Sequence, residues 1–236
     1  MSNFFMARDR ERDKVVGLKI ADSKKTDAFE MRFRGLEKPS EGEIALVFDH
    51  SNVVKTFEHG FTTAGDRFVV MEYIEGPGMQ TLIRDQDPIF RGKKLKLIRQ
   101  MAQAVGELHK RGFIHRDVCP RNYICSSDGE KATLFDFGLT IPDHRLFHQP
   151  GNRTGTPLYM APEIIRRRWT DHRVDIFALG ILCFEMGAEV AYYFIKGKVI
   201  RYSAFHAFAP PTELQKQLYG SYEVSGDKIR WVDRGT

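Results

Sequence analysis

Cysteine is scarce in this chain: Cys119, Cys125 and Cys183 are the only three in 236 residues, and no C-x-x-C pair occurs. An odd, unpaired set excludes a disulfide scaffold and a cysteine zinc site, and it points to reduced thiols in a cytoplasmic compartment. Long apolar runs are also missing. The longest, Ile176 to Met186, is interrupted by Gly180 and Glu185 and falls short of the roughly 18 to 20 residues that span a bilayer. The opening MSNFFMARDRERDK is too charged, and its apolar part too brief, to be expected to act as a secretory signal. Neither sign of charge dominates, since 36 Lys and Arg stand against 31 Asp and Glu, for a net charge of +5. That mixture reads as a solvated surface, and nucleic-acid binding is not expected. No internal repeat or low-complexity linker is evident. What is present is an ordinary globular composition, 42% hydrophobic, enough to bury a sizeable core in one large domain or two lobes.

Along the chain, FFMAR and VVGLKI read as two strands joined by the charged turn Asp9 to Lys14. Lys19 sits late in the second strand, where on pattern alone it is a solvated strand lysine. A helix is expected to begin near Pro39, with Ile44, Val47 and Phe48 as its apolar face and Glu41 and Glu43 in its first turn. Gly42 should weaken that helix by about 1 kcal/mol. Val53 to Phe57 and Arg67 to Tyr73 read as strands around the turn Ala64-Gly65-Asp66, and Gly76-Pro77-Gly78 as a break between lobes. Leu95 to Lys110 has the clearest helical period, with Leu95, Ile98, Met101, Ala102, Val105 and Leu108 on one stripe. Tyr123 to Cys125 and Ala132 to Phe135 flank a hairpin turn at Ser126 to Gly129. Beyond Gly187, Tyr192 to Tyr202 around Gly197 reads as a hairpin and Thr212 to Leu218 as a short capped helix.

The densest chemistry lies in FIHRDVCPRN, Phe113 to Asn122, which places His, Arg, Asp and Asn within eight residues. Asp136-Phe137-Gly138 follows, then Gly155-Thr156-Pro157-Leu158-Tyr159-Met160-Ala161-Pro162-Glu163. Any one of these motifs is weak evidence, but their order and spacing are specific. Together they resemble the eukaryotic-type protein kinase family, whose catalytic loop, magnesium-binding triplet and activation-segment end appear in this sequence.

The resemblance implies an α+β, two-lobed kinase-like fold. Its N-lobe, about residues 1–74, would be small and mainly β, and its C-lobe, about residues 79–186, mainly α, with residues 187–236 an atypical extension. It implies ATP and Mg2+ as cofactors and protein serine or threonine as the substrate. Asp117 matches the catalytic base, and Asn122 and Asp136 match the two magnesium ligands. Lys19, in Val16-Gly17-Leu18-Lys19, matches the lysine that holds the α- and β-phosphates. Its glutamate partner would be Glu41, counting back from His50-Ser51-Asn52-Val53-Val54, with Glu43 the alternative. Met71 would back the adenine pocket, Glu72 to Ile74 would meet the adenine edge, and Ile124 would lie beneath the ring. Gly17 stands where the family usually has alanine. His115 is expected to be scaffold, Arg116 to reach the activation segment, where it can pair with an added phosphate, and Asp175 to cap the catalytic loop. Thr154 is a candidate phosphoacceptor, while His144 and His148 are expected to be solvated.

Three departures qualify this reading. Cys119 stands where most Ser/Thr kinases carry a lysine, and Arg121 occupies the place of the arginine of H-R-D-L-A-A-R-N loops, from which a guanidinium can take over the phosphate contact. Cys119 also raises the option of an oxidation-sensitive thiol, which turns on its exposure and pKa. The glycine-rich loop is expected just upstream of Phe4 to Arg8, so Met1 is read as an internal or misassigned start, and the motif resemblance stops at Met186. The alternative function is therefore a catalytically impaired kinase-like module that binds nucleotide or protein. A small-molecule kinase is disfavoured, because the Thr156 to Glu163 element belongs to enzymes that present a peptide.

Overall fold

The computed structural model describes residues 2–187 and, beyond them, the backbone of four strands: Val190–Ile195, Lys198–Ser203, Ser221–Ser225 and Lys228–Val232. The chain divides into two compact units, Met1–Leu179 and Gly180–Thr236.

The first unit opens on an antiparallel hairpin, β1 (Ser2–Asp9) and β2 (Lys14–Ala21). Its turn is set by Asp9, whose carboxylate accepts the amides of Glu11 and Arg12. Helix α1 (Ser23–Glu30) follows, capped by the Asp22 side chain, which accepts from the Lys25 amide. Helix α2 (Glu41–Leu46) begins at Ser40 in a complete capping box: the Glu43 amide donates to the Ser40 hydroxyl, and the Ser40 amide to the Glu43 carboxylate. β3 (Thr56–Phe61) and β4 (Arg67–Glu72) complete a four-stranded sheet of order β1-β2-β4-β3. Its register pairs Phe4 with Lys19 and Gly17 with Met71.

β3 begins later than the apolar pattern indicates. Val53 and Val54 leave the sheet to meet Leu134, Val53 as an isolated bridge and Val54 through its amide, so the sheet proper starts at Thr56. Two helices carry no periodic signal that sequence reading detected. One is α1, whose single buried side chain is Phe29; the other is α3 (Met79–Arg84), six residues that bury Met79 and Leu82.

Helix α4 (Lys94–Lys110) buries Leu97, Met101, Ala104, Val105 and Leu108. This face is rotated from the expected stripe, for Leu95 is 76% exposed while Leu97 is fully buried. The 97, 101, 104, 108 spacing is the true core period. The helix stops at Gly112 (φ 78°), a left-handed residue that turns the chain into β5 (Phe113–Ile114). β6 (Tyr123–Cys125) and β7 (Ala132–Leu134) form the expected hairpin, and β8 (Ile141–Pro142) pairs with β5. A core of Phe29, Phe33, Ile114, Ile141, Phe147 and Met160 joins α1 to this loop-rich floor. The short α5 (Pro162–Ile165) contributes Ile164 to it.

Helix α6 spans Arg173–Glu185. The second unit contains two antiparallel pairs, β9 (Val190–Ile195) with β10 (Lys198–Ser203), the expected hairpin, and β11 (Ser221–Ser225) with β12 (Lys228–Val232). The helix expected over Thr212 to Leu218 lies outside the described residues.

Candidate active site

The chain from Phe113 to Asn122 follows the end of α4 and is fixed from beneath by Asp175. That carboxylate is fully buried; one oxygen accepts the Arg116 amide at 2.8 Å, and the other accepts the His115 amide at 2.8 Å and lies 2.9 Å from His109 Nε2. Asp175 thus makes the capping contacts expected of it. His109, which sequence reading took as part of a core helix, completes the anchor. His115 is scaffold: it is 1% exposed, and its ring packs on Phe137 at 5.8 Å. Arg116 adopts a left-handed backbone (φ 67°), as does Asp136 (φ 68°). Both are side chains for which that conformation costs energy, typical of functional segments.

Asp117 is held on both oxygens. One accepts the Thr156 amide at 2.7 Å and the Thr156 hydroxyl at 2.6 Å; the other accepts Asn122 Nδ2 at 3.1 Å. Asn122 also donates to the Asp117 carbonyl at 2.7 Å, so its Oδ1 is the atom left to ligate. In the sequence Thr156 stands only as part of the Thr156 to Glu163 element, and the structure makes it the direct partner of Asp117. It can reach there because Gly155 (φ 122°) passes the Arg116 carbonyl so closely that a Cβ would stand 2.7 Å from it. Arg121 donates to the Thr156 hydroxyl at 2.7 Å, bringing a guanidinium beside Asp117.

Cys119 lies against the same hydroxyl at 3.5 Å but is fully buried. Burial, with the nearby Asp117 charge, pushes its thiol above the ordinary value. Burial and a raised pKa both argue against an oxidation-sensitive thiol here.

Lys19 is 3% exposed and pairs with both Glu41 and Asp136, the latter at 2.8 Å. The structure brings Glu41, not Glu43, to the lysine, since Glu43 is spent on the capping box. Burial opposes the lysine's charge, but Glu41 and Asp136 together carry its pKa above the usual value. Burial also disfavours charge on Asp136, yet Lys19 and the Gly138 amide hold it low; Glu41 is raised by burial and by its negative neighbour. Three charged groups with a net charge of −1 therefore sit where cationic and phosphate ligands would compete for them.

Two cavities open here. One of about 650 Å³ is lined by Phe4, Met71, Tyr73, Ile74, Ile124 and Phe135, with Glu72 and Asn122 also in its wall. The second, about 390 Å³, is lined by Lys19, Glu41, Asp117, Asp136 and Gly138. Met71 is buried and leans on Gly17, where a Cβ would stand 3.2 Å from its Cγ. The apolar first cavity fits a flat heteroaromatic group. Among the described residues no group of three or more His, Cys, Asp or Glu could hold a metal ion. Asp136 and Asn122 nevertheless suit magnesium, which takes one or two protein oxygens and fills its shell with water and phosphate oxygens.

Outside the site, His144 is exposed as expected and caps a short turn, accepting from the Leu146 amide. His148 is not solvated: it is mostly buried, with Nε2 2.9 Å from Asp143, because the loop folds back toward His172. Among the described residues no helix is long and apolar enough to cross a membrane.

Comparison with known proteins places this geometry in context. A family model described as the protein kinase domain matches residues 1–222, running past Met186, where the motifs cease to carry a resemblance. The serine/threonine-protein kinase pkn3 of Myxococcus xanthus is 27% identical over 200 residues, 79% of this chain and 35% of that protein. The serine/threonine-protein kinase PknB of Mycobacterium leprae is 30% identical over 193 residues, again 79% of this chain, and 30% of its own length. The chain thus spans about a third of the length of these relatives.

Proposed function

The chain belongs to the protein kinase family, of the serine/threonine type, and from that premise we propose that it transfers the γ-phosphate of ATP to serine or threonine hydroxyls of a protein substrate. One observation carries the proposal: Asp117, held on both oxygens, stands in the wall shared by the apolar cavity and the Lys19 cavity. In this reading Met71, Glu72 and Ile74 receive the base above Ile124, and Lys19, steadied by Glu41, holds the α- and β-phosphates. Asp117 orients the incoming hydroxyl and accepts its proton as the new O–P bond forms and the bond to the β-phosphate oxygen breaks. Arg121 offsets charge on the transferring group, a task the neutral thiol of Cys119 cannot perform. Asn122 and Asp136 would hold magnesium, which supplies charge neutralisation to the phosphates when bound. The three thiols, none of them in a disulfide, support work in a reducing, cytoplasmic setting.

The buried Cys119 favours one second reading, a module that binds nucleotide without transferring phosphate. Transfer from labelled ATP to a generic protein substrate separates the two, with Asp117→Asn as control. Loss of the base should cost about 10²- to 10⁴-fold in rate, and transfer that persists unchanged in the variant sinks the assignment. If the parent itself transfers nothing while nucleotide still raises its melting temperature, the binding module is the correct reading.

A further inference from the structure

Phe4 and Lys19 are directly opposed across the β1–β2 hairpin, so their side chains share the sheet face that roofs the cleft. On the floor, Phe135 immediately precedes Asp136. The ion pair from Lys19 to Asp136 thus has an apolar companion: the ring of Phe4 meets that of Phe135 edge to face, with centroids 5.6 Å apart and planes at 88°. Lys19 Nζ stands 5.6 Å from the Phe4 ring centre. Two rungs, one charged and one aromatic, therefore join roof to floor side by side.

The aromatic rung belongs to one of the two cavities only. Phe4 and Phe135 line the apolar cavity but not the Lys19 cavity, and Lys19 lines the second but not the first. The two spaces share only Ser2, Asp117 and Asp136 in their walls. A nucleotide with its base in the first and its phosphates on Lys19 has to cross the line between the two rings.

Resting on the nucleotide reading above, the geometry points to Phe4 as a gate that discriminates between ligands with and without phosphates. Phe4 is 46% exposed on a strand at the sheet edge, so its ring can swing outward with little loss of packing. The closed rung leaves the base cavity open to a nucleoside and withholds Lys19 from anything longer. An aromatic pair of ordinary strength favours the closed form by roughly 2- to 10-fold, and a ligand that needs the open form loses affinity by that factor.

The test is calorimetric titration of the full chain with adenosine and with magnesium-ADP. In Phe4→Val, the affinity for ADP relative to that for adenosine should rise roughly 2- to 10-fold. Phe135→Leu, which removes the other ring, should do the same, and the double variant should gain no more than either single one. A ratio of ADP to adenosine affinity that stays constant or falls overturns the gate. So does an equal gain for both ligands, which would mean only a wider base cavity, or an equal loss, which would mean that Phe4 stacks on the base. Failure of every variant and the parent to bind either ligand overturns the nucleotide reading and the gate with it.

Discussion

The ammonium of Lys19 faces the carboxylates of Glu41 and Asp136, and the balance among the three decides what a change at this residue does. In Lys19→Met, Glu41 and Asp136 would face each other without a cation, and each would raise the other's pKa. Removing one partner of a buried ionic cluster costs about 3 to 5 kcal/mol, so the variant should melt well below the parent at pH 7.5. The sign with pH follows from the directions. In the parent, Asp136 is held low and contributes stability above its unfolded value, lost only as the medium becomes strongly acidic; Lys19 is held high, and its contribution is lost only as pH rises into the alkaline range. In the variant the shared carboxylate pKa is raised, so its penalty is present at neutral pH and relieved as pH falls. Melting curves at pH 7.5 and pH 5 should show the gap narrowing at pH 5, and a gap that widens there would contradict the arrangement.

Helix α2 shows how an element can be strong where its sequence looks weak. Gly42 suggests a loose helix and a loose Glu41, but the capping box offsets the glycine, and the glycine itself is required by a neighbour. A Cβ at this position would stand 2.3 Å from His59 Cβ and Cγ. Gly42→Ala, which gains about 1 kcal/mol in an exposed helix, should here cost about 1 to 3 kcal/mol through overpacking. Thermal melting would show it, and in a His59→Gly background, which removes the clashing Cβ, the same change should cost much less. The same contrast runs through what the sequence made legible. The β1–β2 hairpin, the extent of α4, the β6–β7 hairpin and the order of motifs are local signals with strong period or turn chemistry. Helix α1 was not legible, because one buried phenylalanine makes no stripe and the core it enters, with Ile114, Ile141, Phe147 and Met160, is distant in the chain. The choice between Glu41 and Glu43 came from counting against a motif, since both suit a first turn equally well. Thr156 on Asp117 and Phe4 on Phe135 span 39 and 131 residues of chain respectively, separations at which no local pattern reports.

At the scale of the whole first unit, Asn152 ties distant parts together. Its side-chain oxygen accepts Arg32 at 2.7 Å, from the turn after α1, and its carbonyl accepts Arg116 at 3.1 Å, from the stretch Phe113 to Asn122. The tie is incomplete. Arg116 is 5% exposed, yet among the described residues its Nε and Nη1 have no partner, and neither does the buried Nδ2 of Asn152. Burial pushes the Arg116 pKa down to about 10, with Asp175 opposing and the Arg32 charge adding to the fall. Two guanidinium groups therefore converge on a neutral amide. Asn152→Asp replaces an unpaired donor with a charged acceptor, and it should raise the melting temperature by about 2 to 4 °C for each kcal/mol gained. The gain should shrink in high salt where screening reaches the pair, and a lower melting temperature would refute the account. Asparagine and aspartate codons differ by one base. A single inherited transition would thus write a permanent negative charge into the gene between these two arginines.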